Sequence, residues 1–170
     1  MNDFNRSPLF YMGDKYKLLP EISKHFPKNI NRFIEPFTGG GSVYLNTEAN
    51  EYLLNDIDKE IVSLHKFLIT SASDPELFFK KIIRITKNYN LSRSFFEDIV
   101  PEKLKKEFVK TYYAKFNKPG YLRLRDNFNK TKNDYAKLYV LLIYGFNRIL
   151  RFNSKGNFNL PVGNVDFNKN

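Results

Sequence analysis

The spacing of hydrophobic and polar residues changes along the chain, and these changes predict the order of its elements. Two short apolar runs, residues 33–34 and 52–54, each lead into acidic residues, as strands of an α/β protein do. After Lys15, and again after Asp58, apolar residues recur at intervals of three and four, which predicts helices. The first part of the chain is therefore predicted to be α/β.

Beyond residue 73 the pattern is mainly helical. Asp74 and Pro75 form a good N-cap and first helical residue. The helix that follows is predicted to place its apolar face (Leu77, Phe78, Ile82, Ile85) opposite a basic face (Lys80, Lys81, Arg84, Lys87). Pro101 and the pair Pro119 and Gly120 are predicted to divide this region into pieces.

The end of the chain predicts a helix followed by a hairpin. Residues 138–144 are almost entirely apolar, which predicts a buried helix. Residues 151–160 alternate polar and aromatic side chains around Ser154, Lys155 and Gly156, which predicts a β-hairpin.

The stretch from residue 32 to 46 contains the most informative motif. A strand ending at Glu35 is followed by three consecutive glycines, residues 39–41, and by a segment from Ser42 that can be helical. In a strand, glycine turn and helix N-terminus arranged in this order, the backbone can approach a ligand closely because no Cβ intervenes.

Two common nucleotide sites do not fit this motif. A dinucleotide fingerprint needs a third small residue where Tyr44 stands, and a P-loop needs a Gly-Lys-Ser/Thr ending that the chain lacks. What remains is a ligand without a pyrophosphate, held near the strand end with an acid in reach. S-adenosylmethionine (AdoMet) fits, because its cationic amino acid moiety suits Glu35.

A second acid follows the second strand. Asp56 comes 21 residues after Glu35. In nucleotide-binding α/β units, an acid at this position binds the ribose diol. Asp58 is predicted to cap the next helix, while His65 and His25 are predicted to be packing or surface residues rather than ligands.

These motifs together resemble the Dam-type (D12 class) DNA adenine N6-methyltransferases. The resemblance rests on the block at residues 35–42, the Tyr-x-Gly-x-Lys pattern at residues 11–15, the Asn-Asp pair at residues 55–56 and the segment 145–163. The family usually has two glycines before the lysine, whereas this chain has Gly13 and Asp14. The resemblance implies that six residues bind AdoMet: Tyr11, Lys15, Glu35, Phe37, Gly39 and Asp56.

The resemblance also implies a DNA-reading surface. Arg151 matches the arginine that reads a guanine in a GATC site, and arginine suits this role because its donors meet guanine O6 and N7. Asn147 and Arg148 match positions that touch phosphate or base edges, and Pro161 matches a proline beside the target sequence. Val162 departs from the family's phenylalanine.

Charge is distributed unevenly. Of the net charge of +10, residues 1–76 contribute eight Lys/Arg against eleven Asp/Glu, residues 77–137 sixteen against six, and residues 138–170 four against one. This distribution is typical of a ligand-binding part joined to a part that binds a polyanion such as DNA. The alternative is an ordinary Lys-rich solvated helical surface.

Other features exclude several classes of site. The absence of cysteine excludes disulfides, thiolate metal sites and a catalytic thiol, and no metal is expected. No long apolar run or cleavable leader is present, so the sequence predicts a cytoplasmic protein, in a bacterial or phage-infected cell, without a membrane partner.

The family's second motif, Asp/Asn-Pro-Pro-Tyr/Phe, is absent, because the chain contains no Pro-Pro. That motif holds the N6 amino group and stacks on the flipped base, so no catalytic residue can be named. Only two or three of the seven strands of the fold can be assigned, which would leave open edges and an uncovered apolar face. We therefore expect a missing C-terminal half, in cis or as a separate chain.

The sequence thus predicts a partial Rossmann-like methyltransferase sheet with a mostly helical target-recognition domain that ends in a β-hairpin. The predicted domains are residues 1–72 for AdoMet binding, 73–163 for target recognition and 164–170 for the return to the methyltransferase domain. The implied activity is AdoMet-dependent methylation of adenine N6 in duplex DNA at a GATC-like site, with base flipping. The alternatives are a non-catalytic DNA- or AdoMet-binding module and one subunit of a split methyltransferase.

Overall fold

The computed structural model describes residues 4–168 and divides into two compact units, Met1–Lys66 and Phe67–Asn170. The strands are β1 (Arg32–Glu35) and β2 (Glu51–Leu54), and the α-helices are α1 (Leu19–Ile22), α2 (Lys59–Ser71), α3 (Pro75–Asn88), α4 (Glu102–Glu107), α5 (Tyr112–Thr131) and α6 (Tyr135–Tyr144). The boundary between the units falls within α2.

The first unit contains a two-stranded parallel sheet, as the two apolar runs predicted. β1 and β2 pair in register, with Ile34 opposite Leu53. On one face of the sheet, Phe33 packs edge-on against Phe26, with ring centroids 5.8 Å apart. The other face is open, because Ile34 and Leu53 are 56% and 57% exposed.

The segment after the glycines is shorter than a regular helix. Only a 3₁₀ turn forms, at Tyr44–Asn46. The Asn46 side chain donates to the carbonyl of Ser42 (2.7 Å), and the Thr47 hydroxyl donates to the carbonyl of Val43 (2.8 Å). These side chains take the acceptors that a continuing helix would use, so the helix ends after one turn.

The helix expected from Lys15 is also divided. A 3₁₀ turn at Tyr16–Leu18 leads into α1, and a second 3₁₀ turn follows at Ser23–His25. Leu19 is buried as expected, but Leu18 is exposed. Pro20 lies in the first turn of α1, where its missing N–H leaves no helical hydrogen bond unmade.

The second unit has a helical core. α6 forms over the apolar stretch, as predicted, and packs with α3 and α5. The Asp74 carboxylate accepts from the Leu77 N–H at 2.9 Å and caps α3, also as predicted, although Leu77 itself is exposed. The largest buried side chains of this core are Tyr121, Tyr144, Phe128 and Phe158.

Pro119 and Gly120 do not divide this region, and the prediction of a break there was wrong. α5 runs through both residues. Gly120 is buried against the backbone of Tyr89, whose carbonyl oxygen would lie 1.9 Å from an added Cβ. Pro119 is on the exposed side of the helix, where water can satisfy the carbonyl that its missing N–H leaves open.

The predicted hairpin is present in a short form. Phe152 pairs with Phe158 in an antiparallel bridge, and the Asn159 N–H donates to the Arg151 carbonyl at 3.1 Å. Gly156 completes the turn with φ +66°. Among residues 4–168, no helix is long and apolar enough to cross a membrane.

Candidate functional site

The glycine turn of the first unit follows β1 and is hydrogen-bonded to the residue that follows β2. The Thr38 N–H donates to the carbonyl of Asn55 (2.9 Å), which follows β2, and the Gly41 N–H donates back to the carbonyl of Thr38 (2.8 Å). Gly39 and Gly41 have φ of +48° and +80°, in the left-handed region. Glycine is therefore required at both positions for this path of the backbone.

The peptide groups of Gly39 are held from both sides. The Asp56 carboxylate accepts from the Gly39 N–H at 2.8 Å. His65 Nε2 lies 2.8 Å from the Gly39 carbonyl oxygen, and Nδ1 lies 3.1 Å from the Tyr44 hydroxyl. Because a carbonyl oxygen only accepts, Nε2 carries the proton and Nδ1 accepts from Tyr44.

His65 is the residue whose role the sequence predicted least well. It is buried as a packing residue should be, but it also tethers the glycine turn. Burial lowers its pKa, which favours the neutral form that this tautomer needs. The available signal was its place beside Ile61 and Leu64 on an apolar helix face, where a polar side chain needs a partner.

An open cleft of about 370 Å³ lies against this turn. Its lining includes all six residues predicted to bind the cofactor: Tyr11, Lys15, Glu35, Phe37, Gly39 and Asp56. The Tyr11 ring packs on Gly39, where an added Cβ would meet ring carbon Cδ1 at 2.9 Å. The Lys15 ammonium donates to the Gly13 carbonyl at one wall of the cleft.

Large apolar side chains also line this cleft and are unusually exposed. Met12, Phe37 and Ile57 are 77%, 86% and 94% exposed. Apolar surface of this kind beside a few polar groups is typical of sites that bind an organic ligand with a flat ring.

Glu35 is the unusual charge of the cleft. Burial raises the pKa of its carboxyl to about 7, although the carboxylate accepts from the Tyr44 N–H at 3.3 Å. Among residues 4–168, Glu35 forms no salt bridge. A cationic group in the cleft would therefore meet a partly desolvated acid that no protein cation neutralises.

Asp56 is fixed in orientation by the backbone. One oxygen accepts from Gly39, and the other accepts from the Asp58 N–H at 3.0 Å. Each oxygen keeps lone pairs for further donors, such as the hydroxyls of a sugar. Burial, together with the charges of Asp56 and Asp58, raises the pKa of Tyr11 at the same place.

The second unit presents its candidate residues around the hairpin. Arg151 is exposed, and its guanidinium donates through Nε to Asn159 Oδ1 (2.9 Å) and through Nη2 to the Asn159 carbonyl (2.7 Å). Asn147 and Arg148 are consecutive residues with φ of +53°, an uncommon backbone strain for residues other than glycine. Pro161 is exposed, and its carbonyl accepts from the Phe146 N–H at 2.9 Å.

The charges of the two units differ strongly. Residues 1–66 contain eight basic and nine acidic side chains, whereas residues 67–170 contain 20 basic and nine acidic ones. One unit thus has an open cleft that contains the partly buried acid Glu35, and the other has an excess of basic residues and a hairpin that carries an exposed arginine. This combination is typical of a class of protein in which a part that binds a small ligand is joined to a part that binds a polyanion.

The chain belongs to the D12 class N6 adenine-specific DNA methyltransferase family, which matches residues 11–170. It is 32% identical over 162 residues to the DNA adenine methylase of Escherichia coli K12, covering 94% of this chain and 48% of that protein. It is 32% identical over 158 residues to modification methylase StsI of Streptococcus sanguinis, covering 93% of this chain and 20% of that protein.

The Type II methyltransferase M.FokI of Planomicrobium okeanokoites is similar to the same extent, with 32% identity over 162 residues that cover 95% of this chain and 21% of that protein. The chain therefore spans between about a fifth and a half of the length of these curated relatives.

Proposed function

We propose that this chain is the AdoMet-binding and target-recognition portion of a DNA adenine N6-methyltransferase. The complete enzyme transfers a methyl group from AdoMet to N6 of a flipped adenine in duplex DNA, at a GATC-like site. The family assignment and the relatives named as DNA adenine methylases support the reaction.

One observation carries the cofactor assignment: a partly buried acid that forms no salt bridge among residues 4–168, and a second acid whose orientation is fixed by the backbone, line the same cleft. In this proposal Glu35 attracts the cationic amino acid moiety of AdoMet, and Asp56 accepts from the ribose hydroxyls. Tyr11 and Phe37 pack on the apolar parts, Lys15 lies at the wall, and Gly39 lets the ligand approach the backbone. AdoMet supplies an electrophilic methyl group on a sulfonium.

The second unit binds DNA in this proposal. Its excess of basic residues attracts the phosphate backbone, and Arg151 reads one guanine. Asn147, Arg148 and the exposed Pro161 contact phosphate or base edges in this proposal. GATC is proposed as the site because these four residues match the Dam-type pattern.

A further part of the enzyme completes the catalytic site. The parallel pair β1 and β2 is the beginning of a Rossmann-like sheet, and the exposed Ile34 and Leu53 are surface that additional elements would cover. The Pro-Pro motif that would hold the adenine amino group is absent from residues 1–170, so no residue here is assigned to catalysis. The remaining half is supplied in cis or by a separate chain.

Calorimetric titration of AdoMet into the 170-residue chain tests the cofactor assignment, with NAD⁺ as a matched nucleotide control. We expect saturable heat for AdoMet and none for NAD⁺, because the turn lacks a pyrophosphate site. No heat with AdoMet would contradict the assignment.

The reaction itself is tested in the protein encoded by the complete reading frame. We expect transfer of a labelled methyl group to a GATC duplex, with none to a duplex already methylated at both adenines. The opposite result would be a reading frame without an Asp-Pro-Pro-Tyr-like motif whose product binds AdoMet and DNA but transfers no methyl group. That result would favour a non-catalytic module or one subunit of a split enzyme.

A further inference from the structure

The guanidinium of Arg151 is held along one edge only. Nε and Nη2 form the side edge of the group, and both donate to Asn159, at 2.9 and 2.7 Å. Of the five guanidinium N–H groups, two on Nη1 and one on Nη2 have no partner in the part of the chain that the structure describes, so the end edge formed by Nη1 and Nη2 keeps one N–H on each nitrogen. An end edge with donors on both nitrogens is suited to the two acceptors of a guanine.

Asn159 is itself held in place by its neighbours. Both peptide groups of Phe158 are bound by the Asn129 side chain, whose Nδ2 donates to the Phe158 carbonyl (3.0 Å) and whose Oδ1 accepts from the Phe158 N–H (2.8 Å). On the other side of Asn159, the Leu160 carbonyl accepts from the buried Tyr121 hydroxyl at 3.1 Å. Asn129 and Tyr121 both lie on α5.

Apolar packing also fixes the second half of the hairpin, which contains Asn159. Phe158 and Leu160 are buried on either side of Asn159, and the Phe158 ring packs edge-on against Phe128 of α5. Asn159 therefore sits between two residues that α5 fixes by hydrogen bonds and by apolar contact. A side chain supported in this way loses little conformational entropy when a ligand binds its neighbour.

From this geometry we infer that Asn159 is a positioning residue for DNA recognition. It holds the guanidinium of Arg151 by its side edge and directs the end edge outward, and α5 fixes Asn159 through Asn129 and Tyr121. This inference rests on the proposed role of Arg151 as the reader of a guanine. It adds that the reading group is orientated before DNA arrives.

The test measures discrimination rather than affinity alone. The dissociation constant of the 170-residue chain is measured for a GATC duplex and for a duplex in which the guanine is replaced by 7-deazaguanine, which lacks the N7 acceptor, or by adenine, which lacks the O6 acceptor. The wild-type chain is expected to prefer the GATC duplex, and Arg151→Ala is expected to abolish the preference. If the wild-type chain shows no preference, the proposed function of Arg151 fails, independently of Asn159.

Given a wild-type preference, Asn159→Ala is expected to reduce the discrimination ratio by about fivefold, because one orientating hydrogen bond is lost while the backbone bond remains. Asn159→Asp keeps the acceptor for Nε and is expected to restore the ratio. The matched control is Asn157→Ala, two residues before Asn159 in the hairpin; its backbone N–H donates to Asn153, and the two hydrogen bonds of the Arg151 guanidinium described above are both to Asn159. This control variant should leave the ratio unchanged.

The double variant Arg151→Ala with Asn159→Ala separates positioning from direct contact. If Asn159 acts through Arg151, its substitution has no effect on discrimination or affinity once Arg151 is gone. Equal loss of affinity on every duplex, persisting in the Arg151→Ala background, would show that Asn159 contacts DNA directly and would overturn the inference. An unchanged ratio in Asn159→Ala, with unchanged thermal stability, would overturn it as well.

Discussion

The two units use charge in opposite ways. In residues 1–66, with eight basic and nine acidic side chains, the prominent group is Glu35, an acid that forms no salt bridge within the part of the chain that the structure describes. In residues 67–170, with 20 basic and nine acidic side chains, it is Arg151, which is held by a neutral amide rather than by a carboxylate. Among residues 4–168, neither group forms a salt bridge, which is what our proposal of a cationic ligand in one unit and of DNA at the other requires.

The units resemble each other in how they fix their loops. Gly39 is clamped by Asp56 and His65, and Phe158 is clamped by Asn129 through both peptide groups. In both cases polar side chains from a following or preceding element satisfy the backbone of an irregular segment. Because each of these contacts lies within one unit, we expect a substitution in one unit to change the binding of that unit's ligand without changing the binding of the other ligand.

The largest effect is expected for Asp56→Ala. Loss of the ribose acceptor and of the Gly39 tether should weaken AdoMet binding by about 2–3 kcal/mol, or about 30- to 150-fold. Calorimetry measures this change. The control is Asp58→Ala, which removes the α2 N-cap that accepts from Glu60 and Ile61 and should cost about 1 kcal/mol of stability without changing AdoMet affinity. Unaltered AdoMet affinity in Asp56→Ala would refute the assignment.

Arg151→Ala tests the other unit. Loss of a two-donor contact to guanine should cost roughly 1–3 kcal/mol at one base pair, with AdoMet binding unchanged. Fluorescence anisotropy with single-substitution duplexes measures the position dependence. Lys155→Ala, at the exposed tip of the hairpin, should instead weaken all duplexes alike. Equal losses on all sequences for Arg151→Ala would make it a phosphate contact.

Glu35 gives the pH dependence of the first unit. Its carboxyl has a pKa of about 7 in the free chain and must be ionised to attract a cation. AdoMet affinity should therefore be constant above pH 8 and fall by about tenfold for each pH unit below 7. In Glu35→Gln the affinity should be weaker and independent of this group. A flat profile for the wild-type chain would exclude Glu35 as the partner of the amino acid moiety.

The same raised pKa affects folding. Because the folded chain binds the Glu35 proton more tightly than the unfolded chain does, its contribution to stability is present at low pH and is lost as the pH rises toward about 7. A cationic ligand should oppose this loss. Thermal unfolding with and without AdoMet at pH 6 and 8 should show the larger stabilisation at pH 8.

The smallest effect is expected for a helix N-cap, Asp74, that is distant along the chain from the residues proposed to bind AdoMet and DNA. Asp74→Ala removes the hydrogen bond to the Leu77 N–H and should lower the free energy of unfolding by about 1 kcal/mol. AdoMet affinity and DNA discrimination should not change. A change in DNA discrimination would mean that specificity depends on the overall stability of the chain, and it would contradict the proposal that Arg151 determines specificity.

The sequence predicted the parts of the fold that depend on local chemistry. The apolar runs became β1 and β2, and Asp58 and Asp74 cap the helices that follow them. Parallel pairing brings the ends of the two strands to one edge, which explains why Asp56 reaches Gly39.

The remaining features depend on contacts between distant residues. Gly120 continues α5 because the Tyr89 backbone packs on it, and this contact has no signature in a Pro-Gly pair. His65 faces Gly39 across 26 residues, and Asn129 faces Phe158 across 29. A helical pattern indicates whether such a residue lies on the buried face of its helix, but it does not indicate which peptide group the side chain binds.

The eight glycines allow a direct test of the central claim, because four (Gly13, Gly39, Gly40, Gly41) lie in the first unit and four (Gly120, Gly145, Gly156, Gly163) in the second. In a ¹H–¹⁵N correlation spectrum of the chain labelled only at glycine, saturating AdoMet should shift the amide signals of Gly39 and Gly40 most. The signals of Gly120, Gly145, Gly156 and Gly163 should stay in place. Unmoved signals of residues 39–41 at saturating AdoMet would contradict the account.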